Sequence, residues 1–270
     1  MSDVTESIQE KLAEKGIVKE AVVGIGYGVP GIVSADGVVV RAGNMGWRNK
    51  SVTKELTELT DLPVKGGNDV NTAALGEMWQ GAASGYKNVV MLTLGTGIGG
   101  AIIADGRLLI GATGGAGEIG HIHVEDECSI PCACGGSGCV QQFGSATGVV
   151  RMARELLAED DRPSILRNQD IRAKTVFDAV KTGDTVAIEV AERFGEYIGK
   201  ALAAVVVTVD PELFLIGGGV SKAGDIILDY IRKYYKVYAY PGFRDKSFAL
   251  AELGNDAGIF GAAAYFLNIE

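Results

Sequence analysis

Short apolar runs that end in glycine-rich turns constrain the fold of this chain more than any other feature. Val89–Leu94 runs into Gly95-Thr96-Gly97-Ile98-Gly99-Gly100, and Leu213-Phe214-Leu215-Ile216 runs into Gly217-Gly218-Gly219. Such runs are typical of strands buried in an α/β sheet. Glycine supplies 39 of the 270 residues, about twice its ordinary share of ~7 %. Because the excess lies in discrete turns, we expect backbone to approach a phosphate or a sugar there.

Helical segments alternate with these strands and complete an α/β pattern. A strand is predicted over residues 21–26, followed by the rigid turn Gly28-Val29-Pro30-Gly31 and a hairpin around Asp36-Gly37. Further strands are predicted at residues 62–65 and 248–253. Apolar periodicity predicts helices over residues 2–15, 52–60, 70–82, 147–158, 173–181, 186–208, 225–235 and 256–267.

The run from Gly95 to Gly100 matches a loose G-x-G-x-x-G pattern, but its context excludes a dinucleotide-binding turn. Such a turn opens a helix, whereas here a second apolar run at residues 101–104 and a turn at Asp105-Gly106 follow. Strand, glycine turn and strand predict a β-hairpin. The bare amides of that turn, together with the Thr96 hydroxyl, can still hold a phosphate.

Asn68 and Asp69 follow the predicted strand at residues 62–65 and precede a predicted helix. Ligands of open α/β sheets collect at the carboxyl ends of strands, so both side chains are candidates for a functional site. The alternative is structural, because aspartate is also a favoured helix cap. Position in the sequence leaves both interpretations open.

Both histidines and all four cysteines lie in one short window, from His121 to Cys139. Cys132, Cys134 and Cys139 follow a glycine-padded C-x-C-x-x-x-x-C spacing that suits a tetrahedral zinc ion. The fourth ligand is open on spacing alone, between His121, Cys128 and His123. Cysteines confined to one window favour a metal site in a reducing cytoplasm over a disulfide framework.

Charge and hydropathy exclude several classes of protein. The formal charge is −9, without a long basic run, which argues against a nucleic-acid partner. The sequence has no 18-residue apolar run, and its N-terminus is polar rather than signal-like. We therefore expect a cytoplasmic protein with no nucleic-acid or membrane partner.

Taken in order, the motifs resemble those of the ROK family (repressors, open reading frames and sugar kinases), and within it the bacterial glucokinases. The resemblance covers essentially the whole chain. It rests on Gly28-Val29-Pro30-Gly31, Asn68-Asp69, the run from Leu94 to Gly100, Gly117-Glu118-Ile119-Gly120-His121, Cys132-x-Cys134-Gly135-x-x-Gly138-Cys139 and Ile216-Gly217-Gly218-Gly219-Val220. It implies a two-domain actin-like ATPase (ribonuclease H-like) fold with the sugar in the interdomain cleft. It also implies ATP- and Mg²⁺-dependent phosphorylation of glucose at the 6-hydroxyl, and a homodimer.

Carried over residue by residue, the resemblance makes Asp69 the general base that takes the proton of the sugar 6-hydroxyl. It assigns the ATP phosphates to Gly95, Thr96 and Gly97, and the adenosine to Gly217, Gly218 and Gly219. It favours His121 as the fourth ligand of a structural zinc, beside Cys132, Cys134 and Cys139. The other substrate-binding residues that it implies are Gly31, Asn44, Asn68, Glu118, His121 and Gln141.

Two departures from the family pattern bear on function. The family has a sugar-contacting glutamate two residues after the last cysteine, where this chain has Gln141. The lost charge predicts weaker or altered sugar binding. Family members also begin with strands that carry an Asp-x-Gly-Gly-Thr phosphate loop, and residues 1–19 contain no such motif. We expect an incomplete N-terminal domain, an exposed apolar edge on the strand at residues 21–26, and weak or no kinase activity.

The expected domains are a remnant of the smaller N-terminal α/β domain, residues 1–70, and a larger α/β domain, residues 71–255, that holds the zinc loop and the nucleotide turns. The C-terminal helix, about residues 256–270, is expected to pack back on the first. Rival functions are a kinase for another hexose (mannose, fructose or an N-acetylated sugar) and a catalytically impaired sugar-binding remnant. A sugar-sensing regulator is disfavoured, because regulators of this family carry a helix-turn-helix that residues 1–270 do not show.

Overall fold

The structure, a computed structural model, describes residues 1–269 apart from the side chain of Asn44. Strands and helices alternate along the chain. The helices are α1 (Ser2–Glu14), α2 (Val52–Thr60), α3 (Asp69–Gln80), α4 (Gln141–Gly144), α5 (Ala146–Glu159), α6 (Ala173–Lys181), α7 (Thr185–Val209), α8 (Ile226–Tyr238) and α9 (Ala257–Leu267). The strands are β1 (Ile25–Val29), β2 (Ile32–Val33), β3 (Val38–Ala42), β4 (Trp47–Ser51), β5 (Val64–Asn68), β6 (Val89–Leu94), β7 (Ile98–Ala104), β8 (Arg107–Leu108), β9 (Leu213–Gly217) and β10 (Ser247–Leu250).

A five-stranded sheet in the order β10-β9-β6-β7-β8 forms the centre of the larger part of the chain. β10, β9 and β6 run parallel, while β7 and β8 are antiparallel to their neighbours. Alternate residues of β6 face opposite sides: Val90 and Leu92 join the core beneath α5 to α8, whereas Val89 and Met91 pack towards α3. Both faces are covered, which is why every residue of β6 except Thr93 is apolar.

The first part of the chain forms two smaller sheets. β1 pairs parallel with β5, from Ile25 opposite Val64 to Val29 opposite Asn68, and β2, β3 and β4 form an antiparallel sheet. α9, from the far end of the chain, packs against β1, β5 and α3. Although α7 is 25 residues long, none of the helices within residues 1–269 is both long and apolar enough to cross a membrane.

The strands of this first part differ from the sequence-based predictions. The strand expected over residues 21–26 begins at Ile25 and continues to Val29. Its hydrogen bonding to the segment of β5 starts only at Ile25, whose amide donates to Pro63 O (2.8 Å). β4 was not predicted, since Trp47–Ser51 has no apolar run and is strand only through its pairing with β3. Helices agree more closely: α2 and α6 have the predicted bounds.

One edge of β1 is open. Within residues 1–269, β1 pairs with β5 alone, and Val23, just before the strand, is 72 % exposed. The open side borders a groove of about 600 Å³ that is lined by Val23, Ile259, Ala262, Phe266 and other residues of β1 and α9. The geometry agrees with the expected exposed apolar edge.

Candidate active site

The end of β5 joins three elements through the side chain of Asn68. Its Oδ1 accepts hydrogen bonds from the amides of Val70 (2.8 Å) and Asn71 (3.0 Å), so Asn68 is the N-cap of α3. Its Nδ2 donates to Gly31 O (3.0 Å), which ties the turn after β1 to the start of the helix. Gly31 and Asn68 are therefore brought together as the family resemblance requires.

Because Asn68 caps the helix, Asp69 is not needed for that purpose. The Asp69 carboxylate accepts one hydrogen bond from the amide of its neighbour Val70 (3.0 Å) and lines the groove beside β1. Burial, only partly offset by hydrogen bonds from the Val70 and Asp69 amides and from Asn68, raises the pKa of Asp69 above its ordinary value. The Asp69 side chain itself is exposed to the groove, and a carboxylate that is accessible, has spare acceptor capacity and has a raised pKa is suited to take a proton from a hydroxyl.

The hairpin between β6 and β7 is tight and anchored. At its tip, the Gly95 amide donates to Gly97 O (2.9 Å). The start of α5 holds the outer side, where the Ala146 amide donates to Gly95 O (2.8 Å) and the Thr147 hydroxyl donates to Thr96 O (2.7 Å). The exposed Thr96 at the tip can offer its hydroxyl to an anion, as the sequence predicts for a phosphate turn.

Gly217, Gly218 and Gly219 border a second cavity, of about 450 Å³, at the carboxyl end of β9. Gly218 has a φ of +86°, and a Cβ atom there would lie 2.6 Å from the Leu94 amide nitrogen. The turn after β9 therefore sits directly against the end of β6. The hairpin between β6 and β7 and the glycine turn after β9 are therefore neighbours.

Glu77 is a residue of this region that the sequence analysis missed. Its side chain is fully buried, and it accepts hydrogen bonds from the amides of Leu253 (2.8 Å), Ala82 (3.0 Å) and Glu252 (3.2 Å). It thereby holds the loop that lines the cavity beside Gly218. The sequence does hold a signal for this role, because Glu77 lies among apolar residues of a predicted helix. A glutamate buried there needs hydrogen-bond partners, since glutamate is almost never fully buried without them.

Strand β7 separates the two sets of candidate sugar-binding residues. A Cβ atom on Gly99 would lie 2.5 Å from Val70 Cγ2, next to Asp69, and one on Gly100 would lie 2.4 Å from Gly117 O, next to Glu118. Because Gly99 and Gly100 lack side chains, α3 can approach one part of β7 and the segment before His121 can approach the next. Asp69 and Glu118 thus flank the same short stretch of backbone.

Four side chains of the histidine-cysteine window converge on one point. The ligand atoms of His121, Cys132, Cys134 and Cys139 all lie within 4.8 Å of one another. His121 Nδ1 is 3.6 Å from Cys132 Sγ, and the sulfurs of Cys134 and Cys139 are 3.6 Å apart. Tetrahedral zinc with Zn–S bonds of ~2.3 Å sets its ligands roughly 3.8 Å apart. The donor set therefore fits zinc in chemistry and in size.

The alternative ligands are engaged elsewhere. Cys128 is close to Ile130 O (3.9 Å), and the ring nitrogens of His123 contact Ser137 O (3.0 Å) and Asp126 Oδ1 (2.9 Å). Neither belongs to the four-ligand group. His123 instead closes the loop that carries Cys139.

The pKa values of two thiols in the metal cluster are shifted in opposite directions. Burial, together with hydrogen bonds and negative charge from Cys132 and Cys134, raises the pKa of Cys139 to about 12. Burial opposes ionisation of Cys132, but hydrogen bonds from the Cys134 amide, Gln141 and the neighbouring thiols bring its pKa down to about 6. A thiolate near neutral pH is the form that binds metal. With Nδ1 of His121 facing the sulfurs, its Nε2 points towards Glu118 Oε2, 3.8 Å away, which leaves polar groups of both residues available to sugar hydroxyls.

Gln141 lies between the metal cluster and the hairpin. Its Nε2 donates to Cys132 Sγ (3.1 Å), and its Oε1 is 3.5 Å from the Ile98 amide. A sugar contact of Gln141 stays a prediction, and the Asn44 side chain lies outside the described residues.

Comparisons with known proteins identify the family. The ROK family profile matches residues 3–269. Over 266 residues, the chain is 42 % identical to a glucokinase of Halalkalibacterium halodurans, covering 96 % of this chain and 81 % of that protein. It is 30 % identical to an N-acetylgalactosamine kinase of Shewanella sp. (97 % and 82 %).

The solved structures agree with the sequence comparisons. The fold superposes with a TM-score of 0.80 on the ROK family glucokinase from Streptomyces griseus in complex with glucose and AMPPNP, at 33 % identity, covering 97 % of this chain and 86 % of that one. The mixed α/β architecture is thus the predicted actin-like ATPase fold, and the chain belongs to the ROK family.

Proposed function

We propose that this protein is a sugar kinase that transfers the γ-phosphoryl group of ATP to the 6-hydroxyl of glucose. The observation that carries the proposal is the Asp69 carboxylate, which is exposed to the groove beside β1 and which Asn68 relieves of helix capping. The 42 % identity with a glucokinase and the likeness to a structure that holds glucose and AMPPNP support the choice of both substrates.

In the proposed reaction, Asp69 accepts the proton of the sugar 6-hydroxyl as that oxygen attacks the γ-phosphorus. A raised pKa brings the carboxylate closer to the operating pH, where general bases are most effective. Gly31 and Asn68 are joined by the 3.0 Å hydrogen bond and would bind hydroxyls beside the base, with Asn44. Glu118 and His121 would bind the remaining hydroxyls through their mixed donors and acceptors.

For the nucleotide, we assign the phosphates to Gly95, Thr96 and Gly97 and the adenosine to the cavity at Gly217, Gly218 and Gly219. Phosphoryl transfer depends mainly on positioning and on neutralising charge, so the rigid hairpin suits the task. Mg²⁺ would accompany ATP and would neutralise part of the charge of its phosphates.

His121, Cys132, Cys134 and Cys139 would hold a structural zinc ion, which supplies a fixed, charged cross-link between the segment of Glu118 and the start of α4. With Nδ1 of His121 directed at the metal, its Nε2 would remain directed towards Glu118 and the proposed sugar site. The division into residues 1–70 and 71–255, with α9 packed on the first, remains part of this proposal.

The test is a coupled kinase assay of the purified chain with ATP, Mg²⁺ and single sugars. We expect glucose to have the highest kcat/KM among glucose, mannose, fructose, N-acetylglucosamine and N-acetylgalactosamine. A preference for an N-acetylated sugar would refute glucose specificity and would match the Shewanella relative. No turnover of any of the five sugars would refute kinase activity.

A second candidate is a sugar-binding protein with slow turnover, because Gln141 lacks the charge of the glutamate that the family has at this position. Calorimetry with glucose, in the presence and absence of AMPPNP, separates the two. Glucose binding without turnover favours the second candidate, whereas turnover at ordinary kinase rates of about 1–100 s⁻¹ excludes it.

A further inference from the structure

The side chain of Gln141 touches two parts of the molecule that are otherwise distinct. Its Nε2 donates to Cys132 Sγ at 3.1 Å, and Cys132 is a member of the four-ligand cluster. Its Oε1 faces the Ile98 amide at 3.5 Å. A Cβ atom on Gly97 would lie 2.9 Å from that same oxygen, so the amide lies directly against the tip of the hairpin. Gln141 thus spans the space between the metal cluster and the hairpin.

We infer that Gln141 is a positioning residue that couples the metal site to the hairpin on which the ATP phosphates rest. The inference rests on the proposed function for the role of the hairpin in ATP binding. The part of the inference that concerns the contact between Gln141 and the metal site does not depend on that function. Occupancy of the site fixes Cys132, Cys132 fixes the Gln141 amide, and the amide supports Gly97 and Ile98. Hydrogen bonds from outside the ligand set tune metal sites in this way.

The chemistry explains why an amide suits this position better than the glutamate expected from the family resemblance. A metal-bound thiolate is an acceptor, so the group that faces it at 3.1 Å must be a hydrogen-bond donor, here the Gln141 N–H. A carboxylate there would bring a second negative charge against the sulfur and would have no proton to donate. The amide also keeps an oxygen for the Ile98 N–H, which a purely apolar side chain would lack.

The neighbouring Gln142 supplies a matched control. Its Oε1 accepts from the Cys139 amide (3.0 Å) and its Nε2 donates to Ile130 O (2.7 Å). Gln142 therefore braces the same cysteine loop, but none of its hydrogen bonds within the described part of the chain reaches a ligand sulfur or the hairpin. The same substitution at the two positions separates a general effect on the loop from loss of the connection.

The first experiment measures the rate at which zinc-loaded protein gives up its metal to a chromogenic chelator, without sugar or nucleotide. We expect Gln141→Glu to release zinc faster by about 10–100-fold, the usual effect of removing a partner of a metal ligand. Gln142→Glu should show a much smaller change. Gln141→Met, which removes the N–H without adding charge, gives the same readout if the carboxylate disturbs folding. Release rates equal to those of the parent in both Gln141 variants would overturn the inference.

The second experiment measures AMPPNP affinity by calorimetry before and after zinc is removed. Zinc removal should weaken binding in the parent and in Gln142→Glu, and should have little further effect in Gln141→Met, because the connection is already broken. Equal weakening in the parent and in Gln141→Met would contradict the coupling. Absence of AMPPNP binding in the zinc-loaded parent would refute both the proposed function and the role of Gln141 in supporting an ATP-binding hairpin. The zinc-release rates would still decide whether Gln141 supports the metal site.

Discussion

At Asp69 the local structure opposes the charge that the proposed reaction needs. The carboxylate is exposed to the groove beside β1, its pKa is raised because the surrounding protein displaces part of its water, and it accepts a hydrogen bond from the Val70 amide. A base kept poorly solvated is more reactive towards a hydroxyl proton. The same feature opposes folding, since the native state holds the proton more tightly than the unfolded chain does.

Replacing Asp69 by asparagine is expected to lower kcat by about 10²–10⁴-fold, the usual contribution of a positioned base. In the parent, kcat should fall as the pH drops through the raised pKa, because the base becomes protonated. The variant should also unfold at higher urea concentration at pH 7. Asn cannot ionise, so it avoids a cost that the parent bears above its folded pKa and that disappears below a pH of ~4, near the unfolded value.

Urea unfolding at pH 7 and at pH 3.5 (roughly below the unfolded pKa), together with kcat across the acidic range, checks both parts. The exposed Asp245, whose carboxylate only faces Lys236 (3.8 Å), is the control: Asp245→Asn should change neither quantity. An Asp69→Asn variant that retains the kcat of the parent would remove Asp69 from the reaction.

At the scale of single elements, the two glycine turns of the five-stranded sheet are held in place by contacts with other elements. The turn after β6 is held by the start of α5, and the turn after β9 rests on the end of β6. Each turn is therefore supported by an element that is distant in sequence. Their geometry is rigid enough to bind a phosphate or a nucleoside without first becoming ordered.

Gly218→Ala tests the support of the second turn. Its φ of +86° costs a residue with a Cβ roughly 1–2 kcal/mol, and contact with the Leu94 amide adds to this. We expect a lower urea midpoint and weaker AMPPNP binding by calorimetry. Gly219 has a φ of −64° and open space around it, so Gly219→Ala should keep the parent's stability. Equal losses at the two positions would contradict the argument from local geometry.

For the whole molecule, the open side of β1 is the feature with the largest consequence. An unpaired strand edge with apolar neighbours is a template for pairing with another chain. Val23, 72 % exposed, lies at this edge, and Phe266 of α9 lines the adjoining groove. Self-association through β1 is the expected outcome at high concentration.

Val23→Lys should reduce this association, because a charged side chain at an edge blocks a further strand. Val207, on α7 and 56 % exposed, offers a control away from any sheet edge, so Val207→Lys should leave association unchanged. Size-exclusion chromatography with light scattering measures the outcome. A discrete dimer that survives Val23→Lys would place the predicted homodimer interface on another surface. Unchanged aggregation in that variant would show that the open edge of β1 does not cause it.

Much of the architecture was predictable because its causes are local. The lengths of apolar runs and the glycines that follow them predict β6, β9 and the hairpin. Periodicity predicts the helices apart from the four-residue α4, and ligand spacing predicts a cysteine-rich metal loop. β4 escaped prediction for the complementary reason: its residues are polar and become a strand only by pairing with β3.

Contacts between distant residues decided the rest of the site. The choice between Asn68 and Asp69 as helix cap depends on which side chain faces the amides of α3, and the fold gives that place to Asn68. The fourth member of the metal cluster depends on the loop path, which turns His121 towards the sulfurs and His123 away from them. Gln141 meets Ile98 across 43 positions of sequence, a contact that no local pattern encodes. Local chemistry therefore determined which groups are available, and only packing determined which of them face each other.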